Sequence, residues 1–295
     1  MSSLDRSLAD RLEHRIGQDV GRNVTALVEA ARGGLARAAE ALSEARSVVI
    51  LTGFFIPAAE VPAAETDGPI GAVFLAQALV GRGVAVRLVT DSPCAKVIEA
   101  AIDAAGLREA CPLDVVAVTG FAGGEPLAEV EARIQAIGPS HVVAIERCGP
   151  GADGRPRNMR GEDIGGHTAE LHRLFQPPAY CIGIGDGGNE LGMGSLPLEL
   201  IAAHIAHGEV AACRVPADTL VVAGVSNWAG AALALLLGGT VDGAAHDHIL
   251  AAISAAGGVD GVTRLAAGTV DNVDAAAHRA MIDTLAAEAR QGTTA

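Results

Sequence analysis

The sequence predicts an α/β protein with a mainly parallel sheet between two layers of helices. Short apolar runs alternate with helical stretches along residues 47–228. The apolar runs are continuous rather than alternating, which is typical of parallel strands that are buried on both faces. Alternation of strand and helix patterns favours a parallel sheet that is covered on both sides. We therefore expect a three-layer, Rossmann-like sandwich.

The elements follow one another in a regular order. Residues 1–45 are expected to form a helical segment with breaks at Gly17, Gly21 and the glycine pair 33–34. This segment is predicted to pack on one compact α/β catalytic domain, residues 46–295. Strands are expected at 47–55, 84–91, 113–120, 141–149, 179–188 and 219–228, and helices at 72–83, 95–106 and 127–138.

Composition excludes several functional classes. The 295 residues carry a net charge of −14 and only 2% are aromatic, so we expect no nucleic-acid partner. The apolar stretch 220–239 reaches membrane length, but Ser226 and Asn227 divide it, which favours a buried strand, turn and helix. We therefore expect no membrane partner.

The cysteines and the N-terminus indicate a cytoplasmic protein. The five cysteines are far apart and form no CxxC pair, which argues against a disulfide framework or a zinc ribbon. The first fifteen residues are charged and lack an apolar core, so no secretory signal is expected. Self-association is left open.

Polar residues follow five of the predicted strands at the point where each strand ends. Because the carboxyl ends of parallel strands meet at one edge of a sheet, we expect a ligand site there. The long polar segment 149–175 is expected to be an active-site loop. The strand-end residues are Thr52 and Gly53, Thr90 and Asp91, Glu146 and Arg147, Asp186 and Gly187, and Ser226 and Asn227.

The stretch GIGDGGNELGMG, residues 183–194, is the most glycine-rich of the chain. A phosphate cradle is disfavoured because Asp186 would repel the anion, and the chain has no GxxxxGK[ST] motif. We therefore expect no organic cofactor. GDGGNE resembles the GDGxND element of haloacid-dehalogenase phosphatases, yet the first strand carries no aspartate nucleophile.

A cation or a substrate remains the expected ligand of this stretch. Asp186 and Glu190 could hold Mg²⁺ or Mn²⁺, with Asp163 as a third ligand from the facing loop. They could instead orient a substrate ammonium, or Asp186 could simply cap a turn. Backbone N–H groups of Gly187, Gly188 and Asn189 are expected to hold a substrate carboxylate.

Two further stretches carry candidate chemistry. In AAETDGPIGA, Glu65 and Asp67 flank Thr66 and could serve as acid and base, although Asp67 could instead cap the next helix. In residues 144–164, four arginines form the most basic stretch of the chain. Arg147 and Arg160 are predicted to clamp a substrate carboxylate, with Asn158 nearby. A solvated loop is the alternative.

Ser226 and Asn227 are a last pair of candidate ligand contacts. They lie in GVSNWAG at the end of the last predicted strand. Such side chains can donate hydrogen bonds to a substrate carboxylate or an oxyanion.

Taken together, these motifs resemble the D-glutamate cyclase family. TGFFIP, AETDGPIGA, LVTD, AIERCGP, GRPRNMRGEDI, GIGDGGNELGMG and GVSNWAG occur in the order found there, over roughly residues 19–273. The resemblance implies conversion of D-glutamate to 5-oxo-D-proline and water, and hence a small dicarboxylate amino acid as ligand. A metal-assisted hydrolase of lactams or amides, and a non-catalytic carboxylate-binding protein, are the alternatives.

Overall fold

The computed structural model describes residues 5–118 and 124–292. Its main sheet has six strands in the order β5-β4-β1-β6-β7-β8, and every neighbouring pair is parallel. The predicted α/β sandwich with a parallel sheet is confirmed. The strands are β1 (Ser47–Thr52), β2 (Phe55–Ile56), β3 (Ala63–Ala64), β4 (Ala85–Asp91), β5 (Leu113–Val116), β6 (His141–Ile145), β7 (Tyr180–Gly185) and β8 (Thr219–Val222).

Helices cover both faces of this sheet. Successive strand residues point to opposite faces, so Val48 and Ile50 join one apolar cluster while Val49 and Leu51 join the other. The first cluster includes α1, α3, α4, α5 and α9 to α11, and the second includes α2, α6 and α7. The helices are α1 (Arg6–Ile16), α2 (Thr25–Ala30), α3 (Gly34–Ser43), α4 (Pro69–Gly81), α5 (Ala95–Ala104), α6 (Gly124–Ile137), α7 (Leu198–His204), α8 (Gly208–Ala211), α9 (Ser226–Leu236), α10 (Gly243–Ala255) and α11 (Ala275–Gly292).

The N-terminal segment forms three helices with the expected glycine breaks. Gly21 and Gly33 take positive φ angles of 98° and 80°, which are strained for residues with a Cβ. Leu12 of α1 and Leu35 of α3 belong to the same apolar cluster as Val48 and Ile50 of β1. The domain boundary at residue 45 stays a prediction.

Several element assignments differ from the sequence-based ones. The predicted strand 219–228 ends at Val222, and Ser226 already begins α9. Helices α10 and α11 were not assigned from the sequence. The predicted strand 113–120 ends at Val116, and its last two residues lie outside the described residues.

Strand order places a crevice at the carboxyl ends of β1 and β6. From β1 the chain passes to β4 and β5 on one side, then crosses back to β6 on the other. Ligands bind at such switch points in open α/β sheets. β1 ends at Thr52 and the short hairpin of β2 and β3 leads directly to Glu65, while β6 ends just before Glu146.

Candidate active site

A pocket opens beside this switch point. Fourteen of the described residues line it, and they come from the N-terminal segment, the segments after β1, β6 and β7, and the loop after α10. Its walls carry both signs of charge, an arrangement that suits a small ligand with cationic and anionic groups. The charged lining residues are Glu65, Glu146, Asp271, Arg22, Arg160 and Arg264.

The predicted site residues divide into two sets. Five of them line the pocket: Glu65, Glu146, Asn158, Arg160 and Asn189. The others are not among its lining residues; these are Thr52, Gly53, Thr66, Asp67, Asp91, Arg147, Asp163, Asp186, Gly187, Gly188, Glu190, Ser226 and Asn227.

Arg147 is held inside the protein by other groups. Its side chain is 1% exposed, and its Nη1 lies 2.7 Å from Oδ2 of Asp91. Nη1 also donates to the carbonyl of Gly53 at 2.9 Å, and Nη2 donates to that of Ala169 at 2.7 Å. The predicted carboxylate clamp therefore does not include Arg147 in this structure, because its guanidinium is paired with Asp91 and the backbone.

Asp67 and the Ser226–Asn227 pair join α4 to α9. The Asp67 carboxylate accepts from the backbone N–H groups of Ser226 and Asn227, both at 2.8 Å. The Asn227 side chain accepts from Gly71 N–H and donates to the carbonyl of Thr66. Asp67 thus binds the first turn of α9, and the Asn227 amide is engaged with backbone rather than directed to a ligand.

The GDGGNE loop closes on itself. Oε1 of Glu190 accepts from Gly187 N–H at 2.7 Å and from Asp186 N–H at 3.3 Å. Gly188 has a φ of 89°, which fits its role in this tight turn. Glu190 thus occupies the Asp186 and Gly187 N–H groups, of which the latter was expected to hold a substrate carboxylate.

Asp163 lies away from Asp186. It forms an ion pair with Arg155, and its Oδ1 accepts from Gly165 N–H at 2.8 Å. The ion pair is partly exposed. The structure therefore does not bring Asp163 to the two acids with which it was expected to hold a metal.

Arg22, which sequence reasoning missed, reaches the site from the N-terminal segment. Its Nη1 lies 2.9 Å from Oδ1 of Asp186 and 2.8 Å from Oδ2 of Asp271. The turn that presents it is fixed by Asp19, whose Oδ1 accepts from three backbone N–H groups, those of Gly21, Arg22 and Asn23. An aspartate before a glycine is a turn signal, but it does not reveal what the next arginine contacts.

Asp271, also missed, comes from a loop near the C-terminus. Asp260 organises this loop: its carboxylate accepts from Val262 N–H, Thr263 N–H, the Thr269 hydroxyl and Asn272 N–H. The loop also backs onto Glu65, because a Cβ at Gly261 would lie 2.0 Å from Oε2 of Glu65. The buried Asp260 thus fixes the loop that carries two of the pocket-lining residues, Gly261 and Asp271.

The buried carboxyls greatly outnumber the cation beside them. Six of them, Glu65, Asp67, Glu146, Asp186, Glu190 and Asp271, are at most 6% exposed. Burial, followed by repulsion from Asp271 and Asp67, raises the pKa of Glu65 well above its usual range. Burial also raises the pKa of Asp186 despite Arg22, and raises that of Asp67 to about 7. Such perturbed acids are typical of functional sites.

Several oxygens of this cluster accept no hydrogen bond from the described residues. They include both Asp186 oxygens, Oε2 of Glu190 and Oε1 of Glu65. The short Arg22 contact with Asp186 is thus an ion pair without hydrogen-bond alignment. Oxygens of Glu146, Asp186 and Glu190 lie within 4.8 Å of one another, and so do those of Asp67, Asp186 and Asp271. Arg22 already contacts two acids of the second group, which leaves the first as the better cation site.

Backbone strain is concentrated around the pocket. Glu146, Arg264 and Asp271 have φ angles of 45°, 66° and 51°. They are three of the six non-glycine residues with positive φ in the described part of the chain. Such conformations cost about 1–3 kcal/mol each and cluster at functional sites.

Comparison with known proteins identifies the family of the chain. No described helix is long and apolar enough to cross a membrane. The family model "D-glutamate cyclase-like, C-terminal" matches residues 12–286. The human protein "D-glutamate cyclase, mitochondrial" is 38% identical over 244 residues, which cover 77% of this chain and 38% of the human protein. The chain thus matches well under half the length of this relative. Since the family model spans nearly all of it, the chain belongs to the D-glutamate cyclase-like family.

Proposed function

We propose that the protein is a lyase that converts D-glutamate to 5-oxo-D-proline and water. Family membership supports the reaction class. The observation that carries the proposal is the pocket itself, where Glu65, Glu146 and Asp271 face the same space as Arg160 and Arg264. D-Glutamate carries one ammonium and two carboxylates, so both kinds of wall have a partner on it.

Proton movement explains the need for unusual carboxyls. Ring closure joins the amine nitrogen to the side-chain carboxyl carbon and releases one of that carboxyl's oxygens as water. The nitrogen loses two protons and the departing oxygen gains two, so the reaction consumes no net proton. The enzyme must accept protons from the ammonium and deliver them to the leaving oxygen.

Glu65 is the proposed proton donor. Burial raises its pKa well above the usual range, which favours the protonated carboxyl, and it lines the pocket. Asp271, which faces Arg22, is the proposed partner of the substrate ammonium. Asp67, Asp186 and Glu190 lie outside the pocket lining and act on these groups through charge. Because attack is intramolecular, the pocket's main task is to hold the chain in a folded shape.

A divalent cation is the second proposed component. Glu146, Asp186 and Glu190 would hold it, since each offers an oxygen within 4.8 Å of the others and hard cations prefer carboxylate oxygen. When bound, Mg²⁺ or Mn²⁺ would supply charge compensation for the buried acids. No organic cofactor is proposed.

The decisive experiment follows 5-oxoproline formation by chiral chromatography. Purified protein is incubated with D-glutamate or L-glutamate, with and without EDTA. We expect 5-oxo-D-proline from the D isomer, and loss of product with EDTA if the cation takes part. Absence of product from either isomer, with or without added Mn²⁺, would overturn the proposal.

The same assay separates the two alternative functions. A lactam hydrolase would consume added 5-oxoproline under conditions where glutamate is not consumed. A binding protein would bind D-glutamate in calorimetry without turnover.

A further inference from the structure

Two of the pocket's arginines stand on turns that buried side chains fix in place. Asn158 accepts from Arg160 N–H at 2.9 Å and from Glu162 N–H at 3.0 Å through the same oxygen. Asp260, which is fully buried, likewise accepts through Oδ1 from Val262 N–H and Thr263 N–H, just before Arg264. Both arginines are therefore presented by preorganised turns.

The two turns are joined at the pocket. Nη2 of Arg160 donates to the carbonyl of Val262 at 3.0 Å, which holds the first turn against the second. Arg264 is kept at a φ of 66°, and Arg264 N–H donates to the carbonyl of Asp260 at 2.8 Å. Such a positive φ is strained for a residue with a Cβ, and strained residues cluster at active sites and ligand clamps.

The charges on this wall are poorly compensated. The nearest carboxylate to Arg264 in an ion pair is that of Glu162, at 4.0 Å, and the Glu162 side chain is about half exposed. Nε of Arg264 is buried and has no hydrogen-bond partner among the described residues. Burial, together with the nearby Arg264, lowers the pKa of Arg160. An anion between the two side chains would relieve both effects.

The other pocket arginine is already neutralised. Arg22 lies within 3 Å of carboxylate oxygens of both Asp186 and Asp271, so an anion there would compete with two buried acids. The pocket is thus lined by two arginines without a close carboxylate, Arg160 and Arg264, and by one arginine, Arg22, that two carboxylates already neutralise.

We propose that Arg160 and Arg264 form an anion subsite that binds the carboxylate the substrate does not react through. This proposal rests on the proposed function. It assigns the α-carboxylate to Arg160 and Arg264, because the side-chain carboxyl must meet the proton donor Glu65. The ammonium then faces Asp271. Fixing three groups in this order defines the handedness of the substrate that fits.

Calorimetric titration with glutarate tests the subsite without requiring turnover. Glutarate is a dicarboxylate without an amine, and binding of a carboxylate by a charged hydrogen-bond donor contributes about 1.5–3 kcal/mol. We expect Arg264→Gln and Arg160→Gln each to weaken glutarate binding by about 10- to 100-fold. Arg264→Lys keeps the charge but loses the fork, and should give a smaller loss.

Matched controls separate a local contact from a general charge effect. Arg6→Gln removes the same charge from an exposed position remote from the pocket, and should leave glutarate affinity unchanged. Unaltered thermal unfolding of Arg264→Lys would show that any loss of binding in that variant does not come from misfolding. Equal glutarate affinity in wild type, Arg160→Gln and Arg264→Gln, or no glutarate binding at all, would overturn the subsite.

Turnover of D-glutamate then distinguishes the two proposals. If glutarate binding depends on both arginines but D-glutamate is not converted, the subsite stands and the lyase function fails. If D-glutamate is converted with the same KM by all three variants, the lyase function stands and the subsite fails.

Discussion

Two arginines at the same sheet edge, the buried Arg147 and the partly buried Arg22, behave in opposite ways. Arg147 meets one carboxylate, Asp91, and two carbonyls at hydrogen-bond distance. Arg22 contacts Asp186 and Asp271, which belong to a cluster of six buried carboxyls. The first arrangement is balanced and stabilises the fold, whereas the second leaves charge uncompensated. Excess buried charge, rather than polarity at a strand end, distinguishes the candidate site.

The largest expected effect comes from Glu65, in the carboxyl cluster around Arg22. Glu65→Gln keeps the shape of the side chain but cannot donate a carboxyl proton, and loss of general acid catalysis typically costs 10²- to 10⁴-fold in rate. Because burial and neighbouring acids raise the pKa of Glu65, replacing its carboxyl with a neutral amide should leave the urea midpoint the same or raise it. Steady-state kinetics and urea unfolding measure the two quantities.

Glu99→Gln, an exposed change on α5, is the control and should alter neither. Gly261→Ala should also reduce the rate, because its new Cβ would press on the Glu65 carboxyl. Full activity in Glu65→Gln would remove Glu65 from the chemistry.

Breaking the ion pair of Arg147 and Asp91 should lower the stability of the protein. Arg147→Met leaves Asp91 buried without its partner, and breaking a buried ion pair typically costs about 3–5 kcal/mol. The free energy of unfolding in urea measures this loss. Arg108→Gln, which breaks the exposed pair with Asp103, should leave stability nearly unchanged. Normal stability with lost turnover in Arg147→Met would instead place Arg147 in the site, as the sequence pattern suggested.

A smaller effect concerns pH. The pKa of Asp67 rises to about 7 in the folded protein, through burial and repulsion from Asp271, against about 3.9 in an unfolded chain. Between these values the folded state holds a proton that the unfolded state has released. This contribution is therefore complete below about pH 4 and is lost as pH rises through about 7.

Urea unfolding at pH 5 and pH 7.5, in EDTA, checks the sign. Wild-type stability should fall more steeply with pH than that of Asp67→Asn, by at most about 1.4 kcal/mol per pH unit. Added Mn²⁺ should flatten the wild-type dependence if a cation replaces the protons. A wild-type slope no steeper than that of Asp67→Asn would contradict the electrostatic account of the cluster.

Sequence patterns predicted the sheet that carries this site better than they predicted which charged side chains pair with one another. Continuous apolar runs determine the parallel sheet, and its geometry brings the residues after β1, β6 and β7 to one edge. Nearby sequence was therefore enough to predict five of the residues that line the pocket: Glu65, Glu146, Asn158, Arg160 and Asn189. Which charges are already neutralised depends on contacts between distant segments. Arg147 looked free because its partner Asp91 ends a different strand, β4.

The missed residues have the same explanation. Arg22 stands between two helices, and Asp271 and Arg264 lie in a loop that follows α10. None of them follows a strand of the sheet, so the strand-end rule could not find them. Their local signals are turns built on Asp19 and Asp260, which reveal a fixed backbone but not the pocket that it faces.

The smallest expected effect is that of the single lysine. Lys96 is the only amine side chain of the sequence, and a lysine nucleophile would have to be this residue. It is exposed on α5 and is not among the pocket's lining residues. Lys96→Arg keeps the charge and helix propensity, so kcat/KM for D-glutamate and the urea midpoint should both remain at wild-type values. A loss of turnover with normal stability would locate chemistry outside the carboxyl cluster, and the contrast between Arg22 and Arg147 would then no longer identify the active site.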